Sequence, residues 1–409
     1  MAASPTFVIV GASLAGAKAA EALRQEGFDG RVVLVGEEPQ RPYQRPPLSK
    51  DRLRGEGDPE EVYVHNEAFY AANDVDLRLS TRVSALHLDE WRVDTATGES
   101  IAYDRLLLAT GAAPRRLTVP GADLAGVHYL RTLADAEDLR WDLVGAGRLA
   151  VIGAGWIGCE VAASARQLGV DVVMIDPLAT PLERVLGPEV GAVYRDLHAS
   201  HGVELHLGAA VEALVGDGRV EGVQLSGGDV LPCEAVVAGI GAMPRTELAT
   251  AAGLEVDNGI VVDQYLATSA AAVYAAGDVA AAWHPIFGRR LRVEHWANAL
   301  DQGRVAALNM LGRPTPYDRI PYFYSDQYDL GMEYAGHATA WDRVVFRGDP
   351  ASGRFVAFWL AEDRVVAGMN ANLWDENPAI QDLVRSGRPV DVDRLTDEDL
   401  PLTEMAAVA

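Results

Sequence analysis

The sequence has little cysteine and no excess of positive charge, and each shortage excludes a class of protein. Its 409 residues include two cysteines, too few for a disulfide framework, and they form no C-x-x-C pair. Acidic residues outnumber basic ones by 59 to 35, giving a formal net charge of −24. Such a balance argues against nucleic acid as the main partner, because phosphate binding needs a basic face. No apolar run approaches the ~18 residues of a membrane span, so no membrane partner is expected.

What is present is the composition of a globular protein. About half of the residues are apolar and about a quarter are charged. Burial of that many apolar residues can offset the entropy cost of ordering the chain, so disorder is not expected. The length allows two to four domains. The N-terminal residues lead into an apolar strand without the basic-then-apolar pattern of an export signal, so a cytoplasmic location is expected. The acidic stretch from Asp391 to Asp399 is interpreted as a solvated surface segment.

A β-turn-α-β pattern occurs twice, and the glycine turns of the two copies begin about 140 residues apart. Each copy has a short apolar strand, a glycine-containing turn, a helix with apolar spacing and a second β-rich run. In the first copy these segments are 7–10, 11–16, 14–24 and 31–35, and in the second they are 149–152, 153–158, the helix to about 168, and 171–175. The repeat indicates either two nucleotide sites or one duplicated scaffold.

The first turn, Gly11-Ala-Ser-Leu-Ala-Gly16, has the G-x-G-x-x-G spacing with Ser13 in place of the middle glycine. A small residue is needed there because the backbone approaches a pyrophosphate closely, and the following helix offers free N–H groups to the phosphate. Glu37 ends the second strand, where a carboxylate can accept ribose hydroxyl groups. The alternative is that Gly11 and Gly16 serve only to pack strand against helix.

The second turn, Gly153-Ala-Gly-Trp-Ile-Gly158, matches the motif completely. Asp176 ends the next strand, and an acid there favours NAD over NADP because it repels a 2′-phosphate. Arg184 either stacks on adenine or is a surface charge. Glu160 lies in the first helical turn, where a carboxylate is favoured in any case by the helix dipole.

With these motifs in place, the chain resembles the FAD-dependent, NADH-using ferredoxin reductases of bacterial oxygenase systems, almost from end to end. The strings that carry the resemblance are Gly11–Gly16, Arg41-Pro-Tyr-Gln-Arg-Pro-Pro-Leu-Ser-Lys50, Leu108-Ala-Thr-Gly-Ala-Ala-Pro114, Gly153–Gly158, Tyr274-Ala-Ala-Gly-Asp278, Glu294-His-Trp296 and Tyr324-Ser-Asp-Gln327. The flavin disulfide reductases share the paired nucleotide motifs, but the missing redox cysteine pair excludes them. Tyr324 stands where relatives often have tryptophan.

The resemblance implies an α/β, glutathione-reductase-like fold with two Rossmann-like dinucleotide-binding domains and a C-terminal α+β domain. The FAD-binding domain is expected to be discontinuous, at 1–112 and 244–322. The NAD-binding domain is expected at 113–243 and the C-terminal domain at 323–409.

The resemblance and the motifs together assign site residues to FAD and to NADH, the two expected cofactors, and no metal site is expected. The residues assigned to FAD are Gly11, Ser13, Ala15, Gly16, Glu37, Arg45, Lys50, Val83, Thr110, Gly111, Arg131, Gly277, Asp278, Glu294, His295 and Trp296. Those assigned to NAD are Gly153, Gly155, Trp156, Ile157, Gly158, Glu160, Asp176, Arg184 and Gly241. Lys50 and Glu160 are the expected catalytic residues, and we expect the two side chains to pair.

The activity so implied is an NADH-dependent reductase that passes electrons through FAD, one at a time, to a [2Fe-2S] ferredoxin feeding a haem monooxygenase or a ring-hydroxylating dioxygenase. Ferredoxins are usually acidic, so docking of this transient partner needs a local basic face, and residues 285–320 carry six arginines against three acids. The docking residues proposed from this stretch are Arg289, Arg290, Arg292 and Arg313.

Two other functions remain open on the sequence alone. One is an NADH oxidase or small-molecule reductase of the same fold, and the other is an NADH-responsive flavoprotein binding module resembling apoptosis-inducing factor. The chain is expected to be a monomer or a weak dimer.

Overall fold

The computed structural model describes residues 4–407, and these residues group into two compact units. The first unit comprises the chain up to Gln44, Asp58–Ala113 and Ala242–Pro321, and the second comprises Arg45–Gly57, Pro114–Gly241 and the chain from Tyr322 onward. The first unit covers nearly the same residues as the predicted FAD-binding domain, except for 45–57. The second unit joins the other two predicted domains, so the three-domain division stays a prediction. Its outer limits, residues 1 and 409, lie outside the described residues.

The strands and helices are numbered along the chain. The strands are β1 Thr6–Val10, β2 Arg31–Val35, β3 Val75–Arg78, β4 Val83–His87, β5 Arg92–Thr95, β6 Ser100–Ala102, β7 Arg105–Leu108, β8 Ala112–Pro114, β9 Val127–His128, β10 Arg148–Ile152, β11 Asp171–Asp176, β12 Glu204–Leu207, β13 Val211–Val215, β14 Gly222–Leu225, β15 Val230–Pro232, β16 Ala235–Ala238, β17 Ala242–Pro244, β18 Ile260–Val262, β19 Val273–Ala275, β20 Ala280–His284, β21 Arg289–Leu291, β22 Tyr322–Gln327, β23 Leu330–Gly336, β24 Arg343–Asp349, β25 Arg354–Ala361 and β26 Arg364–Ala371. The helices are α1 Leu14–Gln25, α2 Asp51–Arg54, α3 Ala68–Ala72, α4 Leu133–Leu143, α5 Trp156–Gln167, α6 Glu183–Ser200, α7 Glu247–Ala251, α8 Trp296–Met310, α9 Asn377–Ser386, α10 Val392–Thr396 and α11 Leu402–Ala407. Short 3₁₀ turns lie at Pro46–Ser49, Pro59–Val62, Gly277–Val279 and Pro350–Ser352.

The first unit is built on a parallel sheet with strand order β19-β7-β1-β2-β3. Its central strands are almost wholly apolar, as expected for a parallel sheet covered on both faces. Helix α1 packs closely on α8. Glycine at 303 permits this packing, since a Cβ there would lie only 2.3 Å from the Ala15 carbonyl oxygen. Smaller sheets, β4-β5-β6 and β18-β20-β21, complete the unit.

The second unit contains a matching parallel sheet, β12-β11-β10-β16-β9, and a separate antiparallel sheet, β22-β23-β26-β25-β24. Helix α5 follows β10, and helix α9 packs on β23 and β26. The core of the antiparallel sheet is aromatic, with Phe355, Phe358 and Trp359 fully buried. The predicted α/β class with two Rossmann-like units and an additional α+β part is therefore confirmed.

No helix within residues 4–407 combines the length and the apolar character that a membrane crossing requires.

The C-terminal acidic segment is anchored by one buried arginine. The acidic side chains from Asp391 to Asp399 are exposed, as predicted from the sequence. Their backbone, however, is fixed, because the Arg347 guanidinium donates to the carbonyl oxygens of Leu395, Asp397, Glu398 and Leu400 at 2.5–3.4 Å. Arg347 is thus the residue that holds this segment against the second unit.

Replacing Arg347 with methionine tests this role. We expect the free energy of unfolding to fall by about 3 kcal/mol, because several charge-assisted hydrogen bonds to carbonyl groups are lost. Limited proteolysis should then cut within 391–400 faster than in the original protein. Arg343→Met is the matched control, since Arg343 is an exposed β24 arginine paired with Asp363. Equal cleavage of both variants would contradict the assignment.

Candidate functional site

The first glycine loop brings strand β1 and helix α1 together. Gly11 has φ +119°, and a Cβ there would lie 2.0 Å from the Ala109 carbonyl oxygen. A Cβ at Gly16 would lie 2.0 Å from the Gly11 carbonyl oxygen, so only glycine fits at both positions. Ser13 is the N-cap of α1, and its hydroxyl makes no capping hydrogen bond. The start of α1 therefore presents backbone N–H groups that the Ser13 side chain does not cap.

Glu37 lies just beyond the carboxyl end of β2 and forms an ion pair with Arg245. Arg245 is in turn fixed by its backbone, because its N–H donates to the Gly111 carbonyl at 2.9 Å and its carbonyl accepts from the Thr110 hydroxyl at 2.8 Å. Three residues assigned to FAD are thereby tied together through Arg245. No local sequence pattern marks Arg245, since 208 residues separate it from Glu37.

Other residues assigned to FAD surround the end of β19 and the start of α8. The Gly277 N–H donates to the Gln302 side chain at 2.9 Å, and Asp278 follows in the same 3₁₀ turn. Trp296, the first residue of α8, donates its indole N–H to Gln44 at 2.9 Å. His295 is the N-cap of that helix, and Glu294 pairs with Arg292.

These residues fit a dinucleotide. The Gly11 loop, Glu37 and Asp278 follow the carboxyl ends of β1, β2 and β19 in one parallel sheet, which is where open α/β sheets bind nucleotides. Val83 is half-buried in β4 of the same unit. Arg45, Lys50 and Arg131 belong to the second unit, where the Arg45 guanidinium donates to the Arg131 carbonyl.

The three glycines of the second loop differ in what requires glycine at each position. Gly153 has φ +98°, and a Cβ there would lie 2.5 Å from the Gly239 carbonyl oxygen. At Gly158 a Cβ would lie 2.0 Å from the Gly153 carbonyl oxygen. At Gly155, by contrast, it would meet only the Gly239 oxygen at 3.7 Å, and the backbone there (φ −80°, ψ −176°) suits any residue. Packing within the protein does not require glycine at 155, whereas a closely approaching pyrophosphate does.

Asp176 fixes this loop from the end of β11. Its carboxylate accepts the Ala154 N–H at 2.7 Å and the Leu178 N–H at 2.8 Å. Arg184 is exposed in the first turn of α6, and Ile157 is exposed beside the loop. Trp156 packs edge-on against Tyr194 and Phe323. Gly241, with φ +100°, follows the neighbouring strand β16. The residues assigned to NAD thus surround the carboxyl end of one parallel sheet.

A buried ion pair lies on α5 at Glu160, the fifth residue of the helix and therefore just beyond the first turn, in which the sequence predicted it. The Lys50 ammonium is 2.8 Å from Glu160 Oε1, and both side chains are about nine-tenths buried. The Ser325 hydroxyl donates to the same oxygen at 2.7 Å, and the Ser49 hydroxyl donates to Oε2. The predicted pairing of Lys50 with Glu160 is confirmed. The two serines were not assigned to the site, although both lie in strings that carry the resemblance, because 111 and 165 residues separate them from Glu160.

Tyr324 lies beside this pair, with the Lys50 ammonium 5.8 Å from its ring centroid. Burial raises the pKa of the Tyr324 phenol, and the carboxylates of Asp326, Glu160 and Asp51 raise it further. Tyr324 therefore stays a neutral phenol next to the ammonium at physiological pH.

The arginines assigned to docking differ in their surroundings. Arg290 is exposed on β21, directly across the hairpin from the exposed Trp283 of β20. Arg289 precedes it and is partly buried. Arg313 is exposed and pairs with Glu26. Arg292 is mostly buried, pairs with Glu294 and donates to the Asp278 carbonyl at 3.2 Å, so its charge is engaged within the protein.

Comparisons with known proteins agree with this geometry. Residues 5–303 match the family described as pyridine nucleotide-disulphide oxidoreductase, and residues 322–406 match the reductase C-terminal family. The chain is 43% identical to the ferredoxin–NAD(+) reductase component of the anthranilate 1,2-dioxygenase system of Burkholderia cepacia, over 98% of this chain and 99% of that protein. It is 42% identical to the 5,5'-dehydrodivanillate O-demethylase ferredoxin reductase subunit of a Sphingobium species, over 98% of both chains. A solved covalent complex of putidaredoxin reductase with putidaredoxin matches with a TM-score of 0.95 and 39% identity, over 100% of this chain and 99% of that one.

Gly155→Val tests whether the second loop is shaped for a nucleotide. Because a Cβ at position 155 meets only the Gly239 oxygen, at 3.7 Å, the free energy of unfolding should change by no more than about 1 kcal/mol. The affinity for NADH, measured by isothermal titration calorimetry, should fall at least ~10-fold. In Gly158→Ala the protein itself should be destabilised, since the new Cβ meets backbone. Unchanged NADH affinity in Gly155→Val would exclude this role for the loop.

Lys50→Met tests the buried ion pair. It leaves the Glu160 carboxylate buried without its cation, so the free energy of unfolding should fall by about 3–5 kcal/mol in urea denaturation. The double variant Lys50→Met/Glu160→Gln should recover at least half of that loss, because no uncompensated charge remains. An additive loss in the double variant would show that the two charges are not coupled.

Proposed function

Because the chain belongs to the pyridine nucleotide-disulphide oxidoreductase family, we propose that it is an FAD-dependent NADH:ferredoxin reductase serving an oxygenase system. The observation that carries the proposal is the pair of dinucleotide loops, each at the carboxyl end of its own parallel sheet, in a chain without a redox cysteine pair. Cys159 and Cys233, its two cysteines, are both buried and free. Electrons therefore have no internal disulfide to reach and must pass directly to an external acceptor.

The first loop, Glu37 and Asp278 would hold FAD, and the second loop with Asp176 would hold NADH. Asp176 supports NADH over NADPH, since a 2′-phosphate would meet its carboxylate. When bound, FAD accepts a hydride from NADH and can release the electrons singly, which matches a two-electron donor to a one-electron iron–sulfur acceptor.

The protein's own contribution to hydride transfer is positioning and charge. Lys50 and Glu160 would be the catalytic pair, with the Lys50 ammonium stabilising negative charge as it develops on the acceptor. Glu160 would hold that ammonium in place, because its carboxylate is itself fixed by Ser49 and Ser325. The remaining site residues would bind and orient the cofactors.

A [2Fe-2S] ferredoxin is the proposed acceptor because both quoted relatives are named as ferredoxin reductases, one of a 1,2-dioxygenase system and one of an O-demethylase. The matching complex pairs putidaredoxin reductase with putidaredoxin. The terminal oxygenase would be a haem monooxygenase or a ring-hydroxylating dioxygenase. We also place the reaction in the cytoplasm, where NADH is regenerated.

Docking would use the β20–β21 hairpin of the first unit. Arg290 and Trp283 lie opposite each other there and are both exposed, and arginine and tryptophan are frequent anchors of protein interfaces. Arg289 flanks them, and Arg313, which pairs with Glu26 but is exposed, follows α8. Arg292 would instead support the Asp278 turn, to whose carbonyl it donates.

Steady-state assays that compare a [2Fe-2S] ferredoxin with oxygen as the electron acceptor test the function. With NADH the protein should reduce a [2Fe-2S] ferredoxin far faster than it reduces oxygen, and NADPH should be a poor donor. Rapid oxygen consumption without any protein acceptor would favour an oxidase. NADH-dependent dimerisation with slow reduction of every acceptor would favour a binding module.

Arg290→Glu tests the docking surface. We expect kcat/KM for an acidic ferredoxin to fall about 10-fold at low salt, because charge complementarity raises the association rate. Ferricyanide reduction should be unchanged, since a small acceptor needs no docking surface. Arg195→Glu, on the exposed face of α6, is the matched control for net charge. Equal slowing by both variants would remove the docking role of Arg290.

A further inference from the structure

A line of buried polar side chains connects the Lys50–Glu160 pair to the last turn of α6. The Ser325 hydroxyl lies 2.7 Å from Glu160 Oε1, and the Gln327 amide nitrogen lies 3.3 Å from the Ser325 oxygen. The Gln327 amide oxygen lies 3.0 Å from His198 Nε2. Ser325 and Gln327 share one face of β22, as residues two apart in a strand do, and they and His198 are at most 1% exposed.

The charge on Glu160 fixes the direction of every hydrogen bond in this line. A carboxylate paired with an ammonium carries no proton, so Ser325 must use its single O–H on Glu160. Ser325 can then only accept from Gln327, which must present its N–H₂ group to the serine and its oxygen to His198. Because that oxygen only accepts, His198 must carry its proton on Nε2.

The other ring nitrogen agrees with this assignment. The Tyr328 hydroxyl lies 3.3 Å from His198 Nδ1 and can donate to it, because the neutral Nε2–H form leaves Nδ1 without a proton. Burial lowers the pKa of His198 to about 4, against a smaller opposite effect of Gln327. The imidazole is therefore neutral at physiological pH, and all donors in the line point toward Glu160.

We propose that His198 is a positioning residue for the hydride-transfer site. In its neutral Nε2–H form His198 donates to Gln327, and this orients Gln327 and Ser325 so that one hydroxyl donor always faces Glu160 and holds that carboxylate beside Lys50. This role rests on the proposed function. The direction of the hydrogen bonds does not, because it follows from the chemistry of the side chains alone.

Few other charged groups face the line. Near Glu160 these are Lys50, together with Asp51 and Asp326, which act on the neighbouring Tyr324. At the opposite end they are Arg166 and His201. Arg166 lowers the pKa of Tyr328 against the larger effect of burial and donates to the His201 carbonyl at 3.0 Å. The His201 ring stacks on Tyr328 with centroids 3.7 Å apart, and its charge further lowers the pKa of His198. A change in the acid response of the site can therefore be separated from titration of His201 by a variant at that position.

The direction of the line can be measured without any cofactor. Two-bond ¹⁵N–¹H NMR of ¹⁵N-histidine-labelled protein distinguishes the two neutral forms of imidazole. His198 should show a protonated Nε2 and a bare Nδ1, unchanged between pH 5.5 and 8.5. A bare Nε2, or a charged ring within that range, would overturn the proposal whatever the enzyme reduces.

The effect on the site is tested with paired variants in the flavin-loaded protein. His198→Gln retains an N–H donor for Gln327 and an acceptor for Tyr328, whereas His198→Leu and Gln327→Met interrupt the line. In both interrupted variants we expect the acid limb of the pH profile for NADH-dependent flavin reduction to move up by about one pH unit. At a pH on that limb, the rate of flavin reduction should then be about tenfold lower than in the original protein. His198→Gln and the control His201→Gln should retain the original profile.

The outcomes separate the proposal from the function on which it rests. If NADH does not reduce the flavin of the original protein, the proposed function fails, whereas the NMR result still decides the direction of the line. If His198→Leu does not fold, Gln327→Met gives the same comparison. Profiles that stay in place in the interrupted variants, or that move equally in His198→Gln, would overturn the positioning role.

Discussion

The buried Lys50–Glu160 ion pair is the interaction on which the proposed chemistry depends. Taking two charges out of water is costly, and the cost is offset only where geometry and additional hydrogen bonds are good. Here Ser49 and Ser325 each donate to one carboxylate oxygen, so the pair is held by residues from three separate stretches of the chain. These three stretches of the second unit must come together to assemble it. A charged group kept ready in a water-poor site is what stabilisation of developing charge requires.

The two glycine loops show how one local motif serves packing and binding with different residues. The outer glycines of both loops, Gly11 and Gly16, Gly153 and Gly158, are required by close backbone contacts within the protein. The middle position is free of such contacts in the second loop, and in the first it is occupied by Ser13. The alternative stated for the first loop, that Gly11 and Gly16 serve only strand–helix packing, accounts for those two positions, whereas Gly155 of the second loop is not explained without a ligand.

Sequence reasoning predicts the features that depend on local pattern. The helix expected from Leu14 to Arg24 is observed as Leu14–Gln25, and that expected from Pro378 to Arg385 as Asn377–Ser386. Lys50 and Glu160 were found through the resemblance and a motif. Arg245, Arg347, Ser325 and His198 were not found, because each acts through partners 48 to 208 residues away. Arg292 stands in a basic stretch but faces Glu294 and the Asp278 turn, which one-dimensional charge counting does not detect.

The central claim is that electrons enter in pairs from NADH and leave singly to an iron–sulfur protein, and the stoichiometry of one anaerobic turnover tests it most directly. A limiting, known amount of NADH is added to catalytic protein with excess oxidised [2Fe-2S] ferredoxin, and reduced ferredoxin is counted by its absorbance. The account predicts two reduced ferredoxins per NADH. A flavin that is reduced by NADH but delivers no electrons to ferredoxin would contradict it.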